Sequence, residues 1–294
     1  LRSSVSLFSL FVFASLMAKD AIVLSEAIPE SSMRQGHFWT PDEANLEMKG
    51  FARTWNDRAS WEQRTRVIRE GILHGLHWDR MPKIKGGFRP IIHSRKEMNG
   101  YLVENIAIRS FPGFYVTGNL YSPANPKAKN PAILNPHGHA TDKRVKEDVQ
   151  KRCAAFARMG AIAFAYDMVG YAESTQVNHK MPIAALLQAW NSTRVLEYLL
   201  SRPDVDPEMI GMTGGSGGGT QTFVLAAIDD RIAVSAPVVQ VSAHFFGGCV
   251  CESGMPIHQS ESYGTNNVEF AAMAAPRPLM IVSDGADWTR NSPR

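Results

Sequence analysis

The stretch that most constrains this chain is MIGMTGGSGGGTQTFVLAA, residues 209–227, in which five glycines surround Ser216 between a short apolar run and a helical one. A flexible linker joins polar or extended segments, whereas this stretch joins an apolar strand directly to a helix. A phosphate-binding loop needs a lysine after its last glycine, and Gly219 is followed by Thr220 and Gln221. A dinucleotide G-x-G-x-x-G begun at Gly215 fails at Thr220. What fits is G-x-S-x-G, from Gly214 through Ser216 to Gly218. A serine on such a strand-to-helix bend has strained backbone angles, and side chains two positions away on either side collide, so glycine is required there. Its hydroxyl then stands above the carboxyl ends of the strands, where open α/β sheets bind ligands.

The surrounding rhythm agrees. FRPIIHSR, YLVENIAIRS and FYVTGNLYSP alternate with a period of two, and the turns Asn99-Gly100 and Pro112-Gly113 predict an antiparallel meander. Short apolar strands then alternate with helices. Strands are expected at 131–136, 161–167, 209–213, 231–239 and 277–284, with helices at 143–160, 182–202 and 219–228. Such alternation predicts a mostly parallel sheet covered on both faces. Upstream, 59–78 carries apolar residues at helical spacing, and 28–57 shows no clear period.

The chain has 294 residues, 44% of them apolar, which is enough for a sizeable core. A net charge of +3 with interleaved signs, as in TDKRVKEDVQKR, argues against a nucleic-acid stripe or a polybasic membrane patch and reads as a solvated helix face. Arg2 followed by the apolar run 5–18 reads as a secretory signal over 1–27, so export to a secreted or periplasmic location is expected, with no membrane contact after cleavage. Residues 28–86 then form an N-terminal helical extension to the core at 87–294. Three cysteines make a poor disulfide framework, and Cys153 reads as a small apolar helix residue.

From about Gly87 onward the chain resembles the α/β-hydrolase superfamily, and within it the acetyl xylan esterase and dienelactone-hydrolase-like branch. NPHGHA, DMVGYAES, TGGSGGG and LMIVSDGADWT stand in that family's order. The resemblance implies an α/β-hydrolase fold and a two-step esterase with an acyl-enzyme intermediate. Ser216 is the expected nucleophile. Backbone N–H groups of Gly217 and His139 are the expected oxyanion donors, with His137 structural. Asp287 is the expected acid, preferred to Asp284 on the family's spacing, and Asp167 is expected to be a structural turn former. In this fold the histidine follows the acid, yet the last histidine here is His258, so the chain reads as ending before its base. The expected substrates are acyl esters of plant-type carbohydrates, with no nucleic-acid partner and no metal or organic cofactor. The alternatives are a prolyl-oligopeptidase-type peptidase and a non-catalytic binding protein on the same fold.

His244, Cys249, Cys251 and His258 form a candidate zinc set, but the C-x-C spacing is unusual, so the segment is read instead as a loop over the active site. A Cys249–Cys251 disulfide is geometrically tight. Trp78 and Trp288 are candidate flat faces for a sugar, and Trp190 reads as core.

Overall fold

A computed structural model of the protein describes residues 39–259 and 264–283. The expected signal segment, Asp284, Asp287 and Trp288 lie outside the described residues.

The chain enters through helix α1 (Pro41–Phe51), which falls in the stretch read as aperiodic. It buries only Ala44 and Phe51, so it has almost no apolar stripe to betray it. Its sequence signal is at the start: the Thr40 hydroxyl accepts from the Glu43 N–H, and the Glu43 carboxylate accepts from the Thr40 N–H. This reciprocal cap satisfies two donors that a helix start leaves open. Helix α2 (Arg58–Gly75) was expected from its periodicity. Ile68, Ile72 and the following Leu76 are fully buried and share one apolar cluster with Leu187, Phe223 and Phe270 from the C-terminal half. The helix stops earlier than expected because His77 adopts φ 55°, and Trp78–Arg80 form a separate 3₁₀ turn.

Strands β1 (Ile91–Met98), β2 (Tyr101–Phe111) and β3 (Phe114–Pro123) form the expected meander. Met98 pairs with Tyr101 and Phe111 with Phe114, so both turns are as tight as their glycines imply. Strand β4 (Asn130–Leu134) leads through helix α3 (Glu147–Arg158) to β5 (Ile162–Tyr166). Helix α4 (Ala184–Ser201), β6 (Val205–Gly215), helix α5 (Gly217–Ile228) and β7 (Val234–Val238) follow. The sheet order is β1-β2-β3-β5-β4-β6-β7. β4 runs parallel to β5 and β6, and β6 parallel to β7. The expected strand at 277–284 lies beside β7 as two parallel bridges, Ser235 with Leu279 and Val238 with Val282, rather than as a continuous ladder.

Alternation along the strands sorts the two faces. Ala163 and Ala165 pack with Tyr121 against Val149, Cys153 and Ala157 of α3. Ile162 and Phe164 point the other way, into a cluster with Leu196, Leu199 and Leu225 from α4 and α5. β5 is buried along its whole length, which is why it reads as a continuous apolar run. Helix α7 (Asn267–Ala272), after the short α6 (Val250–Ser253), closes the second face beside α5.

Leu196 is 0% exposed at the centre of that second face. Leu196→Ala is expected to lower unfolding free energy by about 2–5 kcal/mol. In urea titrations this appears as a lower midpoint with an unchanged slope.

Candidate active site

Ser216 lies between the last residue of β6 and the first of α5, with φ 55° and ψ −123°. For a residue with a β-carbon this region is strained by about 1–3 kcal/mol. Two bonds hold it there: the Ser216 N–H donates to the Val238 carbonyl at 3.0 Å, and its carbonyl accepts from the Thr220 N–H at 3.0 Å. The expected glycine requirement is met on both sides. A β-carbon on Gly214 would lie 2.5 Å from the Pro136 oxygen, and one on Gly218 would lie 2.4 Å from the same atom. The bend and the loop after β4 therefore interlock through backbone.

That loop, 135–140, follows β4. A β-carbon on Gly138 would meet the Gly215 oxygen at 2.6 Å and the Ser216 β-carbon at 2.9 Å. Glycine here brings the next residue, His139, against the bend. Among the described residues, neither the His139 N–H nor the Gly217 N–H has a hydrogen-bond acceptor. Two open donors thus flank one serine, and a cavity of about 280 Å³ opens beside them. No hydrogen bond joins the Ser216 hydroxyl to a described imidazole.

His137 is buried and serves the loop. The Met168 N–H donates to its Nε2 at 3.1 Å, and its Nδ1 lies 2.8 Å from the Gly138 oxygen. Nε2 is therefore an acceptor and the proton sits on Nδ1. Its 3.7 Å approach to Asp167 Oδ1 is then no ion pair, and among the described residues that oxygen has no hydrogen-bond donor at bonding distance.

The other Asp167 oxygen anchors a network that the sequence did not reveal. It accepts from the Thr117 hydroxyl at 2.7 Å and from the Arg144 guanidinium. Arg144 also donates to Asn119 at 2.7 Å and to Glu173 at 2.8 Å. The interleaved charges of 141–152 predict a solvated face, but Arg144 is only 4% exposed. It precedes α3, on a short 3₁₀ turn (Lys143–Val145) that aims it inward, and no spacing rule announces that. Burial pushes the Asp167 carboxyl up, and the close His137 ring, the Arg144 charge and the Thr117 and Arg144 bonds together outweigh it, so the group lies below its usual range.

Beside the bend sits a second cluster. His139 Nε2 lies 2.9 Å from His179 Nε2 and 3.2 Å from Cys251 Sγ. His179 Nδ1 lies 2.6 Å from the Val169 oxygen. The zinc set considered from sequence is divided: His244 meets Ser242 at 3.3 Å, and His258 lies against Phe246 and Phe270 at ring distances of 4.7 and 4.4 Å. Cys249 and Cys251 are both free thiols, not a disulfide. His179 is the residue the sequence reading missed, because nothing near Asn178-His179-Lys180 marks it. Trp78 packs 5.4 Å from buried Trp190 and joins the core edge rather than offering a free face to a sugar.

This topology and the strand–serine–helix bend at the carboxyl ends of the parallel strands define the α/β-hydrolase fold. The chain superposes on the methylesterase BT1017 over 86% of its own length, with 40% identity and a TM-score of 0.81, and spans 58% of that protein. A glucuronoyl esterase from Solibacter usitatus shares the fold at TM-score 0.56 and 16% identity, covering 79% of this chain and 77% of that one. The 4-O-methyl-glucuronoyl methylesterase of Neurospora crassa is 29% identical over 137 residues, 36% of this chain and 34% of that protein. No protein-family model matches the chain.

Arg144→Met leaves Asp167 buried without its charge partner, and is expected to destabilise the fold by about 3–5 kcal/mol. Because the folded Asp167 value lies below the ordinary 3.8, its stabilisation is whole above about pH 4 and is lost as pH falls through the folded value. Urea midpoints at pH 6 and pH 3 check both: the wild type loses stability on acidification, and the variant loses less.

Proposed function

We propose that the protein is a serine hydrolase of carbohydrate carboxylic esters, and that the strained bend at Ser216 between two open N–H groups carries the reading. Ser216 attacks the ester carbonyl. The carbonyl oxygen becomes an oxyanion and takes hydrogen bonds from the Gly217 and His139 backbone N–H groups, which have no other described acceptor. Because they are fixed before the reaction, they need no reorganisation as charge develops. The reaction needs a base to take the Ser216 proton; in this fold that base is a histidine oriented by an acid, and the acid's role is the one proposed for Asp287. Collapse expels the alcohol, which takes that proton from the base, and leaves an acyl-enzyme, which water hydrolyses by the same steps.

Within this class the reading is a methyl ester of a uronic acid unit. The names of the 40% identical structure and of the Neurospora protein both support ester demethylation. The cavity supports an acidic saccharide: Lys143, Lys146 and Arg152 line it against one carboxylate, Asp148. A polyuronate with free carboxylates between its esters would be held by that excess of positive charge.

In the full chain, a fluorophosphonate probe is expected to label Ser216. Ser216→Ala is expected to lose the label and more than ~10³-fold of ester turnover. Labelling that survives the substitution removes Ser216 as nucleophile. Methanol released from a methyl-esterified polyuronate is expected to exceed acetate released from acetylated xylan, and the reverse outcome moves the substrate to acetyl esters. Lys143→Ala is expected to raise KM for the polyuronate roughly fivefold, the worth of about 1 kcal/mol, with a small neutral ester unaffected.

A further inference from the structure

The proposed reaction leaves Cys249, Cys251 and the imidazole of His179 without a task. With His139 they each offer one ligand atom, and those four atoms lie within 4.8 Å of one another. They come from three separate segments: the loop after β4, the loop between β5 and α4, and the segment between β7 and α7. We propose that His139, His179, Cys249 and Cys251 bind one zinc(II) ion in a tetrahedral site through two imidazoles and two thiolates.

The donor set selects the metal class. Thiolates with imidazoles suit zinc, whereas magnesium and calcium take oxygen donors. Bond lengths of about 2.3 Å to sulfur and 2.0–2.1 Å to nitrogen set tetrahedral ligand atoms about 3.3–3.8 Å apart. The imidazole pair at 2.9 Å and the imidazole–thiol pair at 3.2 Å need to open by a few tenths of an ångström, and pairs lying up to 4.8 Å apart need to close by about 1 Å at most.

His179 is also prepared for the role. The Val169 carbonyl 2.6 Å from its Nδ1 can only accept, so Nδ1 carries the proton and Nε2 keeps its lone pair. That Nε2 is the atom directed into the cluster. A ligating histidine characteristically has its other nitrogen held in this way. His179 and Cys251 are buried, Cys249 is half-buried and His139 is exposed, so the site is walled by protein on one side and open to solvent at His139. On binding, both thiols release their protons to solvent, and the ion with two thiolates is electrically neutral.

All four positions are filled by the protein, so the ion has no open site for water and its role is structural. It staples the Cys249–Cys251 segment and the β5–α4 loop to His139. The same His139 offers its backbone N–H to the oxyanion, so the ion would hold that donor in place. This last consequence rests on the hydrolase reading; the metal binding does not.

The test is metal content and metal spectroscopy on the purified full chain, exchanged against chelator-treated buffer and given zinc. About one zinc per chain is expected, with X-ray absorption showing two sulfur ligands at about 2.3 Å and two nitrogen ligands at about 2.0 Å. Cobalt(II) replacement is expected to give the visible bands of a tetrahedral ion and a sulfur-to-cobalt charge-transfer band. Cys251→Ser and His179→Ala are each expected to weaken zinc at least ~10-fold, whereas His244→Ala leaves it unchanged. If those variants do not fold, the cobalt spectrum of the wild type decides. No zinc with reduced thiols, a Cys249–Cys251 disulfide by intact mass, or an oxygen-ligated cobalt spectrum each overturns the site. Fluorophosphonate labelling of Ser216 reports separately on the hydrolase reading, so either can fail alone.

Discussion

The structure depends on one close backbone contact. The loop after β4 and the β6–α5 bend approach until the Pro136 oxygen lies where a β-carbon of residue 214 or 218 would be. Only glycine permits this, and the same approach sets Gly138 against Ser216. The left-handed conformation of Ser216 persists because Val238 and the α5 start bond its backbone on both sides. Strain of this kind survives only where the surroundings over-determine it. Remove the contact and the serine relaxes, the two open N–H groups part, and no defined site remains.

Buried polar chemistry fixes the loops around that contact. Arg144 reaches from the 3₁₀ turn before α3 to β3, to the end of β5 and to the loop beyond it. A buried guanidinium is tolerable only when its donors are met, and here Asn119, Asp167 and Glu173 meet them. His137 serves the same region with both ring nitrogens, one accepting from Met168 and one beside Gly138. The His139–His179–Cys251 contacts extend this bracing outward to the segment after β7. The proposed catalysis by preformed dipoles needs such rigidity, because donors that must reorganise lose their advantage over water.

The N-terminal helices share in this. Ile68, Ile72 and Leu76 enter the cluster that also holds Leu187 of α4 and Phe223 of α5. α2 thus supports the helix that begins at the bend. Arg64 adds a paired contact to Glu269 on α7, at 2.6 and 3.0 Å, with both side chains nearly buried.

Local physics determined what the sequence alone could say. The bend was legible because a strand, five glycines about one serine, and a helix are adjacent in the chain. The meander was legible because its turns and alternation are local, and the parallel strands because burial on both faces leaves apolar runs. Helix α1 was not, since a helix that buries two side chains has no stripe to read. The burial of Arg144 and the gathering of His139, His179, Cys249 and Cys251 belong to tertiary structure alone. Their partners stand 23 to 112 residues away, and no periodicity encodes which distant loops meet. Along the chain, the imidazoles nearest to Cys249 and Cys251 are His244 and His258. Packing placed His258 against aromatic rings and turned His139 and His179 to the thiols instead, because the sheet order brings the ends of β4, β5 and β7 to one edge.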